Sequence, residues 1–393
     1  MITEQHIDYL AHVLRCAITG ENIKDFPAGM NVEEFMEFCR FHNVDNLVYI
    51  AIGSRIGGEL GEKLEDTYHQ KLKLHATQQY YLEEIENTFE ENGIDYLVLK
   101  GRELAKLYPS EDMRQSSDCD IYIGRDNAAR AKELMLNMGF EIEAYNDYDD
   151  DHDEYTIDRV ILCELHRVLI QDKHPWQTEC NRIPQRLILC EGTKHCYRMS
   201  PEDFYVYNLA HTAKHMKLSG IGIKVFLDQW LIYRKFKDSF DYDYLNKTLK
   251  LARLDKFEKN VRDLYEYWFD GKTPDNPEIV RQMAAYVAQS GWIGTSEQFV
   301  ATEMAANAGK TNSTFAAKVK LCMDIICSPY KSMAERYPIL EKHRWLTPIY
   351  RIHRVLDAAL HKRDLVKKVT SVYDGADMDY GKRIVKFKER LGL

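Results

Sequence analysis

Asp118 and Asp120 stand two apart in the run Ser117-Asp118-Cys119-Asp120-Ile121-Tyr122-Ile123, whose apolar content and length predict a short strand. Side chains alternate across a strand with period two, so both carboxylates project to one face and can share a metal. A third acid, Glu164, lies in the strand-like run Val160 to His166, flanked by Leu162, Cys163 and Leu165. A buried lone carboxylate is costly, so strand-embedded acids need a cation partner or a pocket. Oxygen donors select hard cations such as Mg²⁺ or Mn²⁺, whereas zinc favours His and Cys.

Gly101 follows the strand-like run Tyr96 to Lys100 and precedes a helical pattern through Tyr108. A glycine at a strand-to-helix turn lets backbone approach a ligand, and free N–H groups attract phosphate. Lys100 and Arg114 are the candidate phosphate clamps, one a point charge and the other a bidentate fork. Blander readings stand beside these: Gly101 as a plain turn residue, Lys100 solvated, Arg114 paired with Asp112 or Glu111. The rarer signal is the joint order Lys-Gly, Arg, D-x-D and then E-x-H. His166 shares the face of Glu164. His211 and His215, at i and i+4 on an expected helix, share a face as well. With Asp228 downstream they could build a separate metal site, line the pocket, or form a hydrogen-bonded core pair. H-x-x-x-H lacks the glutamate of H-E-x-x-H, which disfavours a zinc protease.

The elements that position these groups follow from apolar spacing. Up to about Asn92 the period is helical, with Asn31 as an N-cap and Glu62 to Asn92 as one long helix closed by Gly93. From Ile94 to about Ile170 come strand-like runs at Tyr96 to Leu99, Cys119 to Ile123, Phe140 to Ala144 and Val160 to His166, with a helix from Asn127 to Met138 ended by Gly139. The acidic run from Asp147 to Glu154 reads as a solvated loop. After about Pro175 the helical period returns and continues to the end, broken by one loop around Gly271 to Pro277. Trp230, Trp268, Trp292 and Trp345 are expected in the core, as are Cys119 and Cys163. The expectation is an α+β chain with divisions at 1–93, 94–174 and 175–393.

Composition excludes some classes. The 393 residues carry 53 basic and 62 acidic side chains, a net charge of -9, with 45% hydrophobic residues. That gives little electrostatic support for a long nucleic-acid acceptor. No run approaches the roughly 20 apolar residues that cross a bilayer, and mean hydropathy is -0.47. The first residues, MITEQHIDYLAHVLRCAITG, do not read as a secretory signal. The 9 cysteines, with no C-x-x-C pair, argue against a disulfide framework and a thiolate zinc site and suit a reducing cytoplasm.

The runs LVLKGRELAKLYP and MRQSSDCDIYI, then ILCELH and NLAHTAKHMK with LDQWLIY, resemble the bacterial uncharacterised nucleotidyltransferase family of the DNA polymerase β-like superfamily. The resemblance extends to ERYPILEKHRWLTPIYRIHRVLD. It implies a small mixed-sheet core flanked by helices, with Gly101 at the phosphate-facing turn, Asp118 and Asp120 as paired metal ligands and Glu164 as the third carboxylate. It also implies an NTP substrate and Mg²⁺ or Mn²⁺. The wider superfamily places Gly-Ser at the turn, where this chain has Arg102 after Gly101, so a serine contact to triphosphate is not expected there. That departure leaves a catalytically silent nucleotide-binding or interaction module as an alternative, and a metal-dependent phosphohydrolase, in which water replaces the acceptor, is a third reading.

Overall fold

The computed structural model describes residues 4–144, 152–158, 160–171, 174–292, 294–295, 298–302, 330, 333, 337, 339–353 and 378–393. Asp147, Asp149, Asp150 and Asp151 of the acidic run lie outside these residues, as do parts of the run from Glu335 to Asp357. The chain forms two compact units. The first is Met1–Met216 with Ile221–Ile293 and Leu391–Leu393, and the second is Lys217–Gly220 with Gly294–Arg390. The divisions expected near 93 and 174 both fall inside the first unit.

Four helices open the first unit: α1 (Glu4–Thr19), α2 (Val32–Phe41), α3 (Asp45–Ile52) and α4 (Gly58–Glu91). Asn31 caps α2 as expected, its Oδ1 accepting from the N–H groups of Glu33 and Glu34 at 2.9 and 3.2 Å. The helical period of α4 reaches back to Gly58 and ends just before Gly93, which takes φ 72° to turn the chain into the sheet.

The sheet and two helices follow: β1 (Leu97–Val98), α5 (Lys100–Ala105), β2 (Cys119–Tyr122), α6 (Ala128–Asn137), β3 (Glu141–Ala144), β4 (His152–Ile157) and β5 (Ile161–His166). Strand order is β1-β2-β5-β4-β3. β2 and β5 run parallel and the other neighbours antiparallel, so the fold is α+β with a mixed sheet. One sheet face packs on α4 and α6: Leu82, Ile85 and Phe89 of α4 and Ala131, Leu134 and Met135 of α6 meet Ile121, Tyr155 and Leu165. The expected loop ends earlier than the acidic run does, because Asp153 and Glu154 belong to β4, where Tyr155 is fully buried between them and Ile157.

The remaining elements of the first unit are α7 (Pro175–Cys180), β6 (Ile188–Leu189), β7 (Tyr197–Arg198), α8 (Pro201–Leu218), α9 (Ile223–Phe236), α10 (Tyr242–Ala252), α11 (Asp255–Tyr265) and α12 (Pro277–Ser290). The hairpin β6–β7 interrupts the expected all-helical stretch. Its strands are too short for a period to be read, and it attaches to the sheet through backbone bonds between Tyr96 and both His195 and Tyr197. In the second unit the helix Met378–Leu391 is the longest described element. Trp230 and Trp268 are buried as expected, but Trp292 is 38% and Trp345 72% exposed. Trp292 follows α12 in a turn, where no helical face obliges an aromatic ring to point inward. No described helix is long and apolar enough to cross a membrane.

Candidate functional site

The sheet face opposite α4 and α6 is polar, and two ladders set its geometry. Asp120 of β2 lies opposite Glu164 of β5, and Tyr122 opposite His166. Glu154 of β4 lies opposite Glu164 from the other side, and His152 opposite His166. Cross-strand partners share a face, so Asp120, Glu164 and Glu154 form one row and Tyr122, His166 and His152 the next. The alternate residues Cys119 and Cys163 point into the core, where burial pushes the Cys119 thiol up to about 12 and the Cys163 thiol upward too. Both behave as the small core residues expected of them.

A cavity of about 440 Å³ opens over the polar face, and Asp118, Asp120 and Glu164 all line it together with His152 and His166. The three acids singled out in the sequence therefore meet in one place. Their ionisation is divided unequally. Burial opposes a charge on Asp120, but Lys100 Nζ lies 3.4 Å from Oδ2 and His166 Nε2 donates to Oδ1 at 2.9 Å, which together hold the carboxyl well below the usual range. Asp118 has the reverse environment: burial and then the charges of Asp120 and Glu164 push it up, and Lys100 and a 3.3 Å bond from Ser116 Oγ only partly offset them. Burial likewise works against a proton on His166, yet its bonds to Asp120 and Glu164 win and raise it.

Lys100 is neither solvated nor free. Besides facing Asp120, its ammonium donates to His211 Nε2 at 3.0 Å, and His215 Nε2 lies 3.1 Å beyond. Burial, followed by the charge of Lys100, pushes His211 well below its ordinary value and His215 down to about 4. The histidine pair of α8 is hydrogen-bonded and lines the cavity. Asp228 does not join it. Its carboxylate accepts from Arg114 Nε at 2.8 Å and Nη2 at 3.0 Å, and from Tyr108 Oη at 2.8 Å.

Arg114 thus pairs with a residue of α9 rather than with Asp112 or Glu111, while its Nη1 donates to Gly101 O at 3.2 Å. One turn before Asp228, Lys224 donates to Gln115 O at 2.9 Å. α9 consequently fixes the segment 114–116 that delivers Asp118 to the site. Gly101 is not among the residues that line this cavity, and an added Cβ there would come 3.3 Å from Ser116 Oγ. Arg102 turns away to pair with Glu86 of α4.

Sequence reasoning missed His152, Glu154, Lys214 and Lys224, all of which lie on this face or line its cavity. Only Lys224 left a usable signal, a charge four residues before Asp228 among Ile223, Val225, Phe226 and Leu227. No curated protein and no solved structure matches the chain. A family model does match, over residues 28–270, and that stretch contains the whole sheet, α8 and α9 with every acid and base described above. Because the match spans well over half of the 393 residues, the chain belongs to the family of uncharacterised nucleotidyltransferases.

Proposed function

We propose that the chain is a metal-dependent nucleotidyltransferase of the DNA polymerase β-like kind, which moves a nucleoside monophosphate from an NTP to a hydroxyl on a small molecule, carbohydrate or protein. The observation that carries this reading is the meeting of Asp118, Asp120 and Glu164 on one sheet face over a cavity. Their chemistry fits a hard divalent ion: all donors are carboxylate oxygens, and burial together with the charges of Asp120 and Glu164, which lift Asp118, is what a cation would offset. Asp118, Asp120 and Glu164 would hold Mg²⁺ or Mn²⁺, which supplies charge neutralisation at the entering and leaving oxygens.

In the transfer, the acceptor oxygen forms a bond to the α-phosphorus and the bond to pyrophosphate breaks. Lys100, Lys214 and Lys224 line the cavity and bring positive charge to the phosphates. Glu164 serves as a ligand or as the base for the acceptor proton, with His166 Nε2 3.3 Å from its Oε2 to hold the carboxylate in place. The hydroxyl that the wider superfamily places after the turn glycine has a spatial substitute in Ser116, which lines the cavity beside Asp118. A net charge of -9 favours acceptors other than long nucleic acid, in a reducing cytoplasm.

The test is incubation of the full chain with each labelled NTP and Mg²⁺, alone and with cell extract. Transfer predicts pyrophosphate release with a labelled acceptor. Orthophosphate released without an acceptor would instead mark a phosphohydrolase, and NTP binding with neither product a silent module.

A pH dependence follows from Lys224. Burial, then the nearby charge of Arg114, brings its ammonium down to about 8. The lysine is charged below that value and loses its proton as pH rises through it. NTP affinity is therefore expected to fall about tenfold between roughly pH 7 and 9, the worth of one charge-assisted contact, and Lys224→Met should flatten the profile. Fluorescence titration across that range checks it, and a wild-type affinity indifferent to pH would remove Lys224 from the phosphate site.

A further inference from the structure

The polar face carries more nitrogen than three carboxylates need. His152 and His166 stand opposite each other in the β4–β5 register, with ring centroids 5.2 Å apart and planes 26° from parallel. Both Nε2 atoms lie near one oxygen: Glu164 Oε2 is 3.3 Å from His166 and 3.9 Å from His152, and a cation held there would take the place of the proton that His166 Nε2 shares with Asp120 Oδ1 at 2.9 Å. One ligand atom from each of the three residues lies within 4.8 Å of the other two. Glu154 Oε1 stands 3.3 Å from His152 Nε2, so a fourth donor borders the same corner.

We propose that His152, Glu164 and His166 form a binding site for a late first-row divalent cation of the zinc kind, beside the Asp118 and Asp120 pair and sharing Glu164 with it. Two imidazoles and one carboxylate are the donors that borderline metals select over magnesium. Tetrahedral zinc with bonds of about 2.0 to 2.1 Å sets its ligand atoms about 3.3 Å apart. The 3.3 Å separation between His166 and Glu164 already meets that edge, and the 3.9 Å one from His152 is close to it. The backbone positions are held by two adjacent hydrogen-bonded strands, with Glu164 and His166 two apart on β5 and His152 directly across on β4. Three protein ligands leave the fourth position to Glu154 or to a water or substrate oxygen from the cavity. The inference rests on the proposed function only in the sharing of Glu164, and cation binding itself requires no nucleotide.

The experiment uses the full chain, stripped with a chelator and then titrated separately with Zn²⁺ and Mg²⁺ by calorimetry, followed by zinc absorption-edge spectroscopy of the loaded protein. The expected result is one tight Zn²⁺ per chain, bound at least 100-fold more strongly than Mg²⁺, with two imidazoles in its shell. His152→Ala and His152→Gln should each weaken Zn²⁺ tenfold or more, whereas Asp118→Asn should leave it within threefold. No tight zinc, fewer than two imidazoles, sulfur in the shell, or undiminished zinc binding in both His152 variants overturns the site. The spectrum of the wild-type chain decides the matter even where a variant does not fold. Nucleotidyl transfer with Mg²⁺ by a chain that takes up no zinc would overturn this site and leave the proposed function standing. Zinc uptake with two imidazoles but no transfer would do the opposite.

Discussion

Asp120→Asn is expected to lower Mg²⁺-dependent nucleotidyl transfer by about 10² to 10³-fold, the loss that follows removal of one preorganised charge-stabilising group. Asp120 stands between the two other acids, directly opposite Glu164 and two residues from Asp118. An amide in its place supplies neither the negative charge nor the second equivalent oxygen that a hard cation requires. The substitution also carries a stability signature. The Asp120 carboxyl is held below its ordinary value, so its ionised form contributes stability that is present above the unfolded value of about 3.9 and is lost as pH falls through the folded value. Asp120→Asn should therefore be less stable than wild type at pH 7, with Lys100 and His166 deprived of a charged partner, and the gap should narrow as pH is lowered below about 4. Steady-state pyrophosphate release and urea melts at both pH values check the two halves separately. Wild-type turnover in the variant would take Asp120 out of the site.

The acids were legible in the sequence because a period of two needs only local spacing. Asp118 with Asp120, and Glu164 with His166, could each be assigned to one face of their own strand from their offsets, and the two strands lie side by side in the register that brings the pairs together. What local spacing cannot reveal is which strand comes next. His152 and Glu154 stand in a run of acids that solvation explains equally well, and only pairing of β4 with β5 turns that part of the run toward the site. Long-range pairing also defeated the reading of Asp228. As one charge on a helix it had His211 and His215 as plausible neighbours in sequence, yet the packing of α9 gives it to Arg114, 114 residues away. The tryptophans show the same limit from the apolar side. Trp230 lies on a helix with a buried face, whereas Trp292 follows a helix end, and residue type alone does not distinguish them.

That distant partner makes the largest stability effect predictable. The Arg114 guanidinium, 8% exposed, is gripped by Asp228 through two nitrogens, and Tyr108 donates to the same carboxylate. Removal of one member leaves the other charge buried without its counterion, which costs about 3 to 5 kcal/mol. Arg114→Ala and Asp228→Ala should each lose that much in urea denaturation, and Arg114→Lys should recover little, because a single ammonium cannot reproduce two parallel bonds. Replacing both residues with apolar side chains of similar volume should restore most of the stability, since no charge is then stranded. Turnover should fall in the single variants as well, because α9 holds the segment 114–116 through Arg114 and Lys224, and that segment carries Ser116 and leads to Asp118. A direct phosphate clamp makes a different forecast: Arg114→Ala would keep its urea midpoint and lose NTP affinity alone. The urea midpoint of Arg114→Ala therefore decides whether this arginine positions the segment that leads to Asp118 or grips the nucleotide, and a loss under about 1 kcal/mol would reject the positioning role.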